Sequence, residues 1–289
     1  MLDLRRGDRA PIVAACQSLL NARASAGGLL GVDGIFGGHT EDAVRALQIA
    51  EGIAPSGAID PDTWSVLSGS SALRVFDTVD VFDPTLNESR AVLESYGARP
   101  SVVGGMCNGV GALRSRMRVE GVESGKLVLL RFHGHGNRGV QAVAFGTSVQ
   151  VMFEVIRGEP MPPSHAVPSP DSFPADQLAT MALETAYSGI SLRSIQAFPE
   201  VAAYVRGLAP FFHRFGSIEF HGCQVGGGTQ GRTFLRRIAD LVGVPAMAAQ
   251  RRQTTGNAVR YAGAVEIAVP GGGSLETWAR SLPEVASCG

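Results

Sequence analysis

Apolar side chains recur at helical spacing over 10–22 (APIVAACQSLLNA), and Pro11 suits the first turn of a helix. A loop with Gly27, Gly28, Gly31 and the turn Asp33-Gly34 follows. A second helix is expected over EDAVRALQIAEG, with Thr40 as N-cap, acids in its first turn and Gly52 as terminator. A third begins at Asp60, with Pro61 at its first position, and continues through DTWSVL. The three pack as one small unit with Val13, Leu20, Val44, Leu47, Trp64 and Leu67 in its core.

The small-residue run SGSS at 68–71 marks a boundary, and the period changes beyond it. ALRVFDTVDVF reads as a strand, LNESRAVLESYG as a helix capped by Asn87 and stopped by Gly97, and RPSVVGG as a short strand. Residues 108–120 form a helix, and KLVLLRF at 126–132 is a continuous apolar strand running into HGHGNRG. Then FPEVAAYVRGLAPFFHRFG is expected as a helix, SIEFHGC as a strand and VGGGTQG as a glycine loop. TFLRRIADLVG is a helix closed by Gly243, VPAMAAQ a strand and NAVRYAGAVEIAVPGG a hairpin. Alternating helices and fully apolar strands predict an α/β fold: an open, mostly parallel sheet with helices on both faces, preceded by the small all-α unit.

Residues 157–175 hold six prolines and break this alternation. They are read as a long exposed excursion continuing through a helix around 176–187, either a plain insertion or a lid or processing loop. The expected organisation is a helical domain over 1–70 and an α/β domain over 71–289 with the insertion around 157–187.

Composition narrows the function. A chain of 289 residues with 45% hydrophobic positions can bury a sizeable core. A net charge of -1 gives no sequence-wide attraction to phosphate backbones or anionic lipid, so neither nucleic acid nor a membrane is expected as partner. No apolar run approaches the roughly 18 residues of a membrane-spanning helix. MLDLRRGDRA has no apolar segment behind its charges, so cytoplasmic synthesis is expected, and delivery to a cell envelope would need a non-classical route. Cys16, Cys107, Cys223 and Cys288 are widely spaced and suggest no disulfide framework.

Two resemblances then emerge. GDRAPIVAACQSLLN, VDGIFGGHTEDAVRALQIAEG and SGAIDPDTWSVL resemble the three-helix peptidoglycan-binding domain, in which a D-G-x-F-G-x-x-T turn joins the first two helices. Gln17, Asp33, Gly34, Phe36, Gly37, Thr40, Gln48, Gly57, Asp60, Thr63 and Trp64 fall in register. The resemblance implies peptidoglycan as a partner of residues 1–70.

In the second half, LVLLRF runs into His133-Gly134-His135 and SIEF into His221-Gly222-Cys223. Sites in parallel sheets form beyond the carboxyl ends of strands, so the two clusters are expected to converge. A thiolate, an imidazole and backbone amides are sufficient for acyl transfer. From Leu73 onward the chain resembles bacterial caspase-like cysteine peptidases, of the clan of caspases, gingipains and clostripain. The carrying motifs are Val75-Phe76-Asp77, GHGNRG, and GCQVGGGTQGRTFLRRIADLVGVPAMAA followed by Thr255-Gly256. The resemblance implies a Cys-His dyad with Cys223 as nucleophile, His135 as general acid/base, and the N–H groups of Gly136 and Cys223 as the oxyanion hole. It also implies a peptide or protein substrate and no cofactor. Gly134 stands where the family carries serine, and the 88 residues from His135 to Cys223 exceed the family's usual separation, which the proline-rich excursion explains.

Other readings of the same residues stay open. His133 is an alternative base, and His221, on the same strand face as Cys223, an alternative support. His133, His135, His221 and Cys223 together have the donor types of a zinc site. The His221-Gly222-Cys223 run also invites comparison with L,D-transpeptidases, although Val225 stands where their arginine falls and their domain is all-β. A catalytically inactive wall-targeted binding protein is the remaining alternative. Asp77 and Asp80 are candidates for a specificity pocket, and Arg251 and Arg252 for recognition of an acidic side chain.

Overall fold

The computed structural model describes residues 3–23, 29–69, 73–80, 91, 93–95, 100–103, 106–134, 136–142, 189–197, 199–253 and 260–286. The excursion at 157–187, with its expected helix, lies outside the described residues, as do His135, the Asn87 cap, the Gly97 stop and Thr255-Gly256.

The chain opens with α1 (Pro11–Arg23), α2 (Gly38–Ala50) and α3 (Pro61–Ser68). In α3 the Asp60 carboxylate accepts the Thr63 N–H at 2.8 Å, Pro61 occupies the first turn, and Gly69 closes the helix in the left-handed region. The start of α2 differs from expectation, because its N-cap is Gly37 and Thr40 lies inside the helix. The Thr40 hydroxyl is occupied elsewhere: it accepts a hydrogen bond from Gln17 Nε2 at 3.2 Å. Gln17 also donates to Asp33 Oδ1 and Ile35 O and accepts from the Asp33 and Gly34 N–H groups. Gln48 does the same for the following loop, bonding Ala58 O, Thr63 Oγ1 and the Gly57 N–H. Two buried carboxamides therefore hold both turns of the unit.

The α/β part contains β1 (Arg74–Asp80), β2 (Ser101–Val103), α4 (Met106–Val119), β3 (Leu127–His133), β4 (Gly136–Asn137), β5 (Val140–Ala142) and β6 (Gly189–Ser191). It continues with α5 (Leu192–Ala197), α6 (Pro199–Arg206), β7 (Phe212–Phe220), α7 (Gly228–Val242), β8 (Ala246–Ala249), β9 (Val265–Ala268), α8 (Leu275–Arg280) and α9 (Pro283–Ala286). Six strands form a sheet in the order β2-β1-β3-β7-β8-β9, parallel except for β9. Strands β4, β5 and β6 make a small separate antiparallel sheet. The expected open, mostly parallel sheet covered by helices is what forms.

Three further boundaries depart from the sequence expectation. The long helix expected over 198–216 stops at Arg206, because Gly207 and Pro210 interrupt it and Pro210 has no N–H to continue the ladder. After one 3-10 turn the chain enters β7 at Phe212. The apolar spacing of Phe212 and Phe215 imitates a helix there, but on the strand the two rings enter the cores on opposite faces of the sheet, and both are buried. The partner of β9 is β8, with Ala246 opposite Ala268 and Ala249 opposite Val265, so β9 pairs with the preceding strand and, among the described residues, not within the expected hairpin segment. The glycine run after Cys223 supplies the N-cap and first turn of α7, not only a loop.

Each face of the sheet has its own core. Phe76, Leu130, Phe132, Ile218, Phe220, Ala246 and Ala248 pack with α4, α6 and α7 on one side. Val128, Phe215 and Met247 face the other, where they meet Ile12, Val13, Cys16, Leu19, Trp64 and Leu67 of the N-terminal helices and Leu282 before α9. Consequently α1 is buried from Pro11 through Leu20 on every side, with its own helices, the sheet, α8 and α9 around it. Trp64 and Phe215 stack across this seam at 6.2 Å between ring centroids.

Candidate active site

The convergence expected from the two strand ends is built by one pairing. β3 and β7 are hydrogen-bonded parallel neighbours, with Phe132 opposite Phe220, so their carboxyl ends leave the sheet side by side. The His221 N–H donates to Phe132 O at 2.9 Å, extending the pairing one residue further. Beyond it the two turns touch through glycine. A Cβ on Gly136 would fall 2.9 Å from the Gly222 Cα and 2.6 Å from Val225 Cγ2, and one on Gly222 would fall 2.9 Å from Gly136 Cα. Only two residues without side chains fit this approach.

Cys223 is half-buried in the turn after β7. Its Sγ accepts the Gln253 N–H at 3.3 Å. The amides on either side of it are engaged: Gly222 N–H donates to Gln141 Oε1 at 3.0 Å, and Gln224 N–H to Arg251 O at 3.0 Å. Gln224 holds a left-handed conformation at φ +60, unusual for a residue with a side chain. The Cys223 N–H has no acceptor among the described residues.

Beneath this turn lies a buried polar cluster that the sequence did not announce. His133 Nε2 meets Asp77 Oδ1 at 2.8 Å, and His221 Nε2 meets Glu219 Oε2 at 3.1 Å. Arg131 bridges the two carboxylates, its Nε 3.3 Å from Glu219 and an Nη 3.6 Å from Asp77. The His133 and His221 rings stack at 4.7 Å, and Tyr261 stacks on the other side of His221 at 4.4 Å. The Tyr261 hydroxyl donates to Met247 O at 3.3 Å, an extra bond from the cluster to β8.

The charges follow from these contacts. Burial pushes the Asp77 carboxyl up, but the hydrogen bond from His133 and the Arg131 charge outweigh it and hold the group down at about 2. Burial likewise works to raise Glu219, and the bonds from His221 and Arg131 reverse it, leaving it lowered. For His221 burial wins over Glu219, so its pKa falls to about 4 and the ring is neutral at pH 7. Burial and then the Glu219 charge push Tyr261 well up, which keeps it a neutral phenol.

The predicted residues therefore divide. Cys223, Gly136, His133 and His221 come together at the ends of β3 and β7, and His135 lies outside the described residues between Gly134 and Gly136. Asp77, expected in an open specificity pocket, is instead buried and bonded to His133. Asp80 ends β1. Arg251 and Arg252 are exposed beside Gln253, whose N–H reaches the thiol. For the zinc alternative, the Nε2 atoms of both His133 and His221 face carboxylates, and among the described residues no three His, Cys, Asp or Glu side chains are placed to hold a metal ion. Arg131, Gln141, Glu219, Gln253 and Tyr261 were not singled out in the sequence. Arg131 and Glu219 had a signal: each is a polar residue two positions before a histidine at an otherwise apolar strand end, Arg131 before His133 and Glu219 before His221.

Comparison with known proteins bears on the N-terminal part. Residues 9–67 match the family model described as "Putative peptidoglycan binding domain". No match was found among curated proteins. Among solved structures, a Burkholderia AP3 phage endolysin crystal structure is similar at 20% identity and a TM-score of 0.22, covering 72% of this chain. The chain spans 66% of that endolysin, just under two thirds of its length. A TM-score this low does not indicate a common overall fold.

Proposed function

We propose that the protein is a caspase-like cysteine endopeptidase acting at the cell wall, with Cys223 as nucleophile and His135 as general acid/base. The observation that carries the reading is the pairing of β3 with β7, which brings a histidine-bearing turn and a cysteine-bearing turn into backbone contact at Gly136 and Gly222. The Cys223 N–H, without an acceptor among the described residues, supports its role as an oxyanion donor, with Gly136 N–H as the second. The mostly parallel sheet is the architecture expected for this family, and it is unlike the all-β domain of the L,D-transpeptidase alternative.

The chemistry is acyl transfer. The Cys223 thiolate adds to the peptide carbonyl carbon, and the negative oxygen is held by the amides. The carbon–nitrogen bond then breaks as the His135 imidazolium gives its proton to the departing amine. Water, deprotonated by the same imidazole, adds to the thioester and releases the acid and the thiol. No cofactor enters. Arg251 and Arg252, exposed next to the thiol-binding segment, are proposed to receive an acidic side chain of the substrate. The family match over 9–67 supports peptidoglycan as the ligand of the helical unit.

The test is cleavage of a peptide library and of purified wall peptides by the full chain, with Cys223→Ala as control. Cleavage abolished in that variant supports the reading, and cleavage that persists, or none by the wild type, removes it. Co-sedimentation of the full-length Cys223→Ala variant with purified sacculi tests the wall, and failure to pellet would detach the helical unit from that ligand.

A further inference from the structure

We propose that Gln141 is a positioning residue that locks the cysteine turn to the histidine turn, an inference that rests on the dyad proposed above. Its place in the fold is specific. Gln141 lies on β5 directly opposite Gly136 of β4, the residue that follows His135. Its side chain crosses to the other turn, where Oε1 accepts the N–H of Gly222, the residue that precedes Cys223. One side chain thus stands one strand rung from the histidine turn and one hydrogen bond from the cysteine turn, across 81 positions of sequence.

The site has no slack around this bond. Gln141 is fully buried, and the Gly222 amide it satisfies is buried as well. A Cβ on Gly222 would come within 2.7 Å of Gln141 Oε1, so the carboxamide occupies the space that a side chain there would need. Because Gly222 N–H points at Gln141 and Gln224 N–H points at Arg251 O, the peptide carrying the Cys223 N–H is fixed from both sides. A misplacement of about 1 Å in such a turn is enough to lower a rate about a hundredfold, since attack depends on the alignment of thiolate, carbonyl and oxyanion donors.

Gln141→Leu keeps the size and removes the acceptor, whereas Gln141→Glu keeps an oxygen in place. The assay is the rate of Cys223 alkylation by iodoacetamide as a function of pH, in wild type, in both variants and in His135→Ala. In the wild type, fast alkylation near neutral pH that is lost in His135→Ala establishes the dyad, and its absence defeats the reading on which the proposal rests. Given that dyad, Gln141→Leu is expected to slow alkylation at pH 7 about tenfold and move its pH profile upward, with Gln141→Glu restoring most of the profile. A folded Gln141→Leu protein with the wild-type rate and profile overturns the role of Gln141 while leaving the dyad intact. Should Gln141→Leu not fold, hydrogen exchange at the Gly222 amide of the wild type decides: slow exchange supports the bond, and exchange at the rate of an open loop refutes it.

Discussion

Replacing Phe215 by alanine should loosen the N-terminal helices and the sheet together. Phe215 sits on β7, is wholly buried, and its ring stacks on Trp64 of α3 at 6.2 Å with 28° between the planes. Buried Phe→Ala changes cost about 3–5 kcal/mol, through lost transfer energy and the cavity left behind. An aromatic pair contributes about 0.5–1.5 kcal/mol more, so a loss of about 3.5–6.5 kcal/mol is expected. Against a total stability of about 5–15 kcal/mol, that is about a quarter of the fold or more. The assay is urea unfolding followed in parallel by tryptophan fluorescence and far-ultraviolet circular dichroism. Its fluorophores, Trp64 and Trp278, are the chain's two tryptophans, and both pack into this second core. Both probes should report one transition, displaced to lower urea in the variant. A loss under about 1 kcal/mol, or two separate transitions of which the variant moves only one, would refute a shared core.

Three other outcomes follow from the contacts. His221 takes up a proton at about 4 in the folded chain and near its ordinary 6.5 when unfolded; between those values the unfolded state binds more protons, so stability should fall as pH drops from 6.5 to 4, by up to about 3 kcal/mol. Urea midpoints at pH 7 and pH 4.5 check this, and His221→Gln should flatten the dependence. Asp77, held at about 2, adds its own loss only below about pH 4, as its carboxylate is protonated. Gly136→Ala, whose methyl would lie 2.6 Å from Val225 Cγ2 and 2.9 Å from Gly222, should cost about 1–3 kcal/mol and depress Cys223 alkylation more than it depresses the melting temperature. Gln17→Leu strands the Asp33 and Gly34 amides and should cost about 2–3 kcal/mol in thermal or urea unfolding, leaving Cys223 alkylation unchanged.

The elements most legible in the sequence are those whose local signals agree. Asp60, Pro61 and Gly69 mark α3 at both ends, and the apolar run of β3 predicts a central strand. Where two signals conflicted, tertiary structure decided: Phe212 and Phe215 have helical spacing, yet pairing with β3 makes them strand. Thr40 is a good capping residue, but its hydroxyl is worth more as a partner of buried Gln17. At the site, the two strand ends and the glycines were readable, because chain punctuation is local. The cluster of Asp77, Arg131, His133, Glu219, His221 and Tyr261 was not, because it is assembled from four segments of chain and no short window contains it. Gln141 was invisible for the same reason, since its partner is 81 residues away.

The burial of α1 on all sides has a mechanical meaning. A binding unit on a flexible linker works as a leash, raising the local concentration of substrate without choosing which bond is met. Here the unit's first helix is embedded against β7, the strand whose following turn carries Cys223, so packing rather than a tether sets its distance from the thiol. On the function proposed above, a wall polymer held by these helices would meet Cys223 at one fixed reach, in the manner of a calliper, and the spacing of its repeats would decide which of its bonds arrives there.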